Sequence, residues 1–204
     1  MTDLPLAQQD VPNEAPRRVQ THAESQNAKL AIWLYLGSEV IIFTILLASY
    51  AVFRVNHPEA VREVQDHLGL LLVSINTFLL LASSWSMVMG LLAARRNNSQ
   101  GVVRWIGLTA LLGAVFVGLQ YVEYLELAHA GVSLETEYGT RFYAPTAFHG
   151  AHVIIGVLWA LRIVNRARKD IYHAQNYLAI EVFGLYWHFV DVVWIIIFTL
   201  IYLI

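Results

Sequence analysis

Five apolar runs, at about 29–53, 68–94, 102–127, 142–165 and 178–204, leave this chain little choice of fold. A helix crossing ~30 Å of hydrocarbon needs about 20 residues, and each run supplies them. Lipid offers the backbone no hydrogen bonds, so a spanning segment must satisfy its own as a helix or close into a barrel. The runs lack the in-out alternation of barrel strands. The expected fold is therefore all-α, an integral membrane bundle of five transmembrane helices. Composition agrees: 57% of the residues are hydrophobic and 14% charged, and the mean hydropathy is +0.53, outside the range of soluble domains. A net charge of -2 gives no sign of nucleic-acid binding, and the absence of Cys excludes disulfides, thiolate metal sites and a cysteine nucleophile.

Residues 1–28 carry Pro5, Pro12 and Pro16 among polar side chains, with no apolar core of the signal-peptide kind. They read as a polar tail ahead of a transmembrane domain at 29–204. Residues 54–67, 95–101, 128–141 and 166–177 read as the four connections. Ten of the thirteen basic residues fall on the side of the tail and only Arg54, Arg62 and Arg141 on the other, which predicts a cytoplasmic amino terminus and an outer carboxy terminus.

Ionisable residues inside the spans carry the functional signal, because each costs about 2.5–3.5 kcal/mol at the bilayer centre unless it has a partner or a job. Glu39 lies ten residues past Lys29, about 15 Å deep at ~1.5 Å per residue. His188 and Asp191 sit at comparable depth in the last span, so Glu39 can meet either. Gln120, Glu123 and Tyr124 share a helix face by three-and-four spacing. His149 and His152, three apart, are flanked by Gly150 and Gly156, which would admit a neighbouring helix. His149 and Glu123 are expected at similar depth and are expected to hydrogen-bond. Glu123, His149, His152, Glu181, His188 and Asp191 make a candidate buried polar network, without a metal site. Asn76, Thr77, Ser83, Ser84 and Ser86 in the second span read as helix-packing residues.

The run Phe148-His149-Gly150-Ala151-His152-Val153-Ile154-Ile155-Gly156, together with Tyr186-Trp187-His188-Phe189-Val190-Asp191-Val192-Val193-Trp194, resembles subunit III of the haem-copper respiratory oxidases. The likeness extends to Ser38-Glu39-Val40, Asn76-Thr77, Leu80-Leu81-Ala82-Ser83-Ser84, Gln120 with Glu123-Tyr124, and Glu181. It implies a subunit without a redox centre, which packs on subunit I beside subunit II and a small subunit IV, within a hetero-oligomeric complex of the bacterial inner membrane. It implies haems and copper in the partner subunits, bound phospholipids here, and support of proton uptake and of turnover stability. Glu39 falls at the family's buried, carbodiimide-reactive glutamate. Arg162, Arg166 and Arg168 are candidates for lipid phosphates. Longer family members have seven spans; the five here fit bacterial short forms, which lack the first two.

Phe148 and Gln120 look more like the cytochrome c oxidases than the quinol oxidases, whose subunit III is the alternative. Two readings from other classes stand beside these. One is an independent proton or solute transporter using Glu39, Glu123, His149 and Asp191; the other is a di-haem carrier using His149, His152 and His188.

Overall fold

The computed structural model of the protein describes residues 22–65, 69–132 and 134–204. Most of the expected polar tail, residues 1–21, lies outside them, but from His22 the chain is already helical. Helix α1 spans His22–Asn56, α2 Pro58–Gln65, α3 Leu70–Arg95, α4 Ser99–His129, α5 Glu137–Ala167 and α6 Leu178–Ile197, which runs on as a π-helical segment, Phe198–Leu203. Among the described residues there is no strand, and five helices are long and apolar enough to cross a membrane.

Local chemistry sets the helix ends. Asn97, at φ 56°, turns the chain between α3 and α4, a left-handed conformation that Asn tolerates better than most residues. The next residue, Asn98, caps α4 by accepting from the Gly101 amide at 2.8 Å. Thr136 caps α5 through the Gly139 amide, so that helix starts five residues before the apolar run it carries. Pro58 opens α2, where its missing amide hydrogen goes unneeded. This short helix occupies the stretch that the charges of 54–67 marked as a connection.

Helices α3, α4, α5 and α6 close a ring in which each packs on the next, and α1 leans into the groove between α5 and α6. The buried stripe of α1 is Ile32, Leu36, Glu39, Phe43, Leu47 and Tyr50, spaced by threes and fours. The opposite face is open, with Leu34 68% and Ile41 63% exposed.

Trp187 and Trp194 fill the centre of the ring. Their indole N–H groups donate to Ser83 Oγ and Thr77 Oγ1, both at 2.9 Å, and Ser86 shares a 2.7 Å hydrogen bond with Thr109 on α4. The hydroxyls of the second span thus bond across helix interfaces. Gly113 and Gly156 lie so close to the Trp187 ring that a methyl group at either would collide with it. Gly150, expected to admit a neighbour in the same way, has open space around it.

Candidate functional site

His152 sets the geometry of the seam between α1 and α5. Its Nδ1 lies 2.8 Å from the carbonyl oxygen of Phe148, one turn back. A carbonyl only accepts, so Nδ1 carries a hydrogen and Nε2 is the nitrogen left for chemistry. Nε2 points at α1, 3.4 Å from Glu39 Oε2 and 3.5 Å from the Tyr35 hydroxyl. Phe43 packs against the imidazole with ring centres 5.4 Å apart, and Phe148 lies on it at 4.8 Å. Tyr186 anchors the seam from α6 by donating to the His152 carbonyl at 2.9 Å.

Glu39 is 8% exposed, and a carboxylate facing an imidazole lone pair in such a place is repulsive. The contact is favourable when a proton lies between them, either as carboxylic acid to imidazole or as imidazolium to carboxylate. Glu39 and His152 thus form one buried acid–imidazole contact that joins α1 to α5. Depth in the sequence allows Glu39 to meet His188 or Asp191; it reaches His152, because α1 packs along α5 and presents positions 35, 39 and 43 to it. Tyr35 went unnoticed in the sequence, although its spacing of four from Glu39 puts both on one helix face.

The other polar residues separate into distinct environments. His149 does not bond Glu123: it lies between Phe116 and Trp194, with ring centres 5.7 and 5.0 Å away, and neither ring nitrogen has a hydrogen-bond partner among the described residues. Depth had matched these two residues, but rotation about the helix axes turns His149 into the aromatic centre. Glu123 Oε2 accepts instead from Gln120 Nε2 and, at 3.1 Å, from the Tyr202 hydroxyl, a partner that nothing in the spacing announced. His188 pairs through Nδ1 with Ser84, and Asp191 lies beside the same serine. The three histidines therefore face three different surroundings. No cluster of three or more His, Asp or Glu suited to a metal forms among the described residues.

Glu181 stands outside the buried network. It sits in the first turn of α6, where Lys29 meets it at 3.0 Å and Arg95 at 3.9 Å, so it clamps α1, α3 and α6 at one end of the bundle. At the other end Arg54 Nη1 donates to the Leu200 carbonyl at 3.2 Å. Arg162 and Arg166 lie beside Tyr172, the latter 5.9 Å from its ring centre. Burial pushes the Tyr172 hydroxyl above its ordinary pKa, and the two arginines partly offset this. Arg168 shares a groove of about 470 Å³ with Arg104, Ser99 and Gln100.

Residues 6–204 match the family described as cytochrome c oxidase subunit III. Among curated relatives, cytochrome c oxidase subunit 3 of Thermostichus vulcanus is 39% identical, over 85% of this chain and 86% of its own. Quinol oxidase subunit 3 of Bacillus spizizenii is 38% identical, over 94% and 93%. Cytochrome c oxidase subunit 3 of Bacillus sp. strain PS3 is 35% identical, over 93% and 91%.

Proposed function

Because this chain belongs to the cytochrome c oxidase subunit III family, we propose that, as subunit III of a terminal oxidase, it serves another subunit's oxygen chemistry by keeping a transferable proton at Glu39–His152. It is a multi-pass membrane protein of a multisubunit oxidase complex. In our reading it is an accessory subunit: the haems and copper belong to its partners, subunits I and II, and a small subunit IV completes the assembly. Subunit I is the direct neighbour. The open outer face of α1, with Leu34 and Ile41 exposed, leaves apolar surface for such contacts.

The observation that carries this reading is the 3.4 Å approach of Glu39 to His152, with Nδ1 already committed to a carbonyl. A proton held there is available for uptake without any redox group in this chain. In our reading the Lys29 end of the bundle faces the cytoplasm, which the positive-inside count supports, and the complex lies in the bacterial inner membrane. At that end Arg162, Arg166 and Arg168 would meet phospholipid phosphates. Phe148 and Gln120 favour cytochrome c as the electron donor of the complex, while the relative named as a quinol oxidase subunit keeps quinol as the second reading.

Replacing Glu39 by Ala tests the proposal in the assembled oxidase. The complex should assemble and start at the parent rate, then lose activity sooner during sustained turnover or pump fewer protons. A variant equal to the parent in both pumping and turnover lifetime would reduce Glu39 to a packing residue.

A further inference from the structure

Glu123, on α4, is a second buried carboxyl group. It is 2% exposed, and both of its donors, Gln120 Nε2 and the Tyr202 hydroxyl, serve the same oxygen, Oε2. Among the described residues Oε1 has no hydrogen-bond partner, and neither has the side-chain oxygen of Gln120. No basic nitrogen of the described residues lies within 4.0 Å of this carboxyl group.

The same arrangement continues towards the Arg54 end of the bundle. The side chains of Tyr124 and Tyr138 lie within electrostatic reach of Glu123, and their buried hydroxyls, Tyr124's beside Thr146, have no hydrogen-bond partner among the described residues. Tyr50 and Tyr138 approach one another, and Tyr50 approaches Arg54, yet neither tyrosine hydroxyl completes a direct hydrogen bond. Phe53 and Phe142 flank the Tyr138 ring, with centres 6.3 and 6.0 Å away. Among the described residues, five buried side-chain oxygens on α1, α4 and α5, from Tyr50, Tyr138, Glu123, Gln120 and Tyr124, thus have no hydrogen-bond partner.

Buried polar atoms in folded proteins nearly all have partners, and polar contacts just beyond bonding reach are commonly completed by water. The Glu123 Oε1 and Gln120 Oε1 atoms call for a donor, whereas a tyrosine hydroxyl both gives and takes. Water supplies two hydrogens and two lone pairs, and so completes such a set. We propose that ordered water bridges the Tyr50 and Tyr138 hydroxyls to the free oxygens of Glu123 and Gln120, making Glu123 a hydrated carboxyl group reached from the Arg54 end of the bundle. The chain then holds two proton-bearing positions: a lateral one at Glu39–His152, and this hydrated one at the end to which Arg54 belongs.

Water-edited solid-state NMR on the full-length chain in lipid bilayers tests this, with the Glu123 carboxyl carbon assigned by its loss in Glu123→Gln. Polarisation should pass from water to that carbon far faster than to the methyl groups of fully buried Val153. Tyr138→Phe, which removes one hydroxyl and keeps the ring, should at least halve that transfer. A Glu123 carbon that responds as slowly as Val153 would overturn the hydrated site, and transfer unchanged in Tyr138→Phe would overturn the route through Tyr138.

Discussion

Glu39, His152 and Tyr35 act through placement more than through identity. Glutamate in a membrane helix is costly without a polar neighbour, and here Nε2 of His152 faces the carboxyl group at 3.4 Å while the Phe148 carbonyl holds the ring. In the proposed function Glu39 and His152 form one proton-sharing unit, and two partners in one unit predict non-additivity. Glu39→Gln and His152→Phe should each shorten the turnover lifetime of the oxidase, and the double variant should do no worse than either single one. Additive losses in a decay assay would separate the two roles. Glu181 predicts the opposite size of effect: Lys29 is 39% exposed in its side chain, so Lys29→Ala should lower stability by under about 1 kcal/mol in a thermal unfolding assay. The sequence announced Glu39, Glu123 and the histidines because a charge or an imidazole within an apolar run stands out. It concealed their partners. Tyr35 and Tyr202 look like ordinary aromatic residues of a membrane helix until the helices are packed, and the rotation that buries His149 against Trp194 leaves no trace in spacing.

Among the helices, the glycines give the sharpest test of packing. A methyl group at Gly156 meets the Trp187 ring, whereas one at Gly150 meets open space. Gly156→Ala should therefore destabilise the bundle by about 1–3 kcal/mol through overpacking, and Gly150→Ala should be neutral or slightly stabilising in the same unfolding assay. Equal effects would mean that α5 and α6 are less closely apposed than Trp187 requires. Sequence pattern put both glycines beside His149 and His152 but could not tell them apart, since close approach depends on which way α5 is turned. The five spans were legible because length alone identifies them. Their ends were less so: Thr136 and Asn98 set them through single side-chain caps, and α2 was hidden among charges that read as a connection.

At the scale of the whole molecule, the fold is a ring of four helices with α1 leaning on it, tied to α6 near both ends by Lys29–Glu181 and by Arg54 to the Leu200 carbonyl. The ionisable residues are dispersed through this frame: Glu39 with His152, Glu123 with Gln120 and Tyr202, His188 with Ser84. Such dispersion suits a subunit that supports chemistry elsewhere better than it suits a single relay or a haem-binding core. Purification of the tagged chain from its native membranes, with a visible spectrum of the complex and then of the isolated polypeptide, tests that account most directly. A haem-copper catalytic subunit should copurify and carry all the haem absorbance, leaving the separated chain without visible bands. Haem bands in the isolated polypeptide, or purification without any such partner, would contradict it.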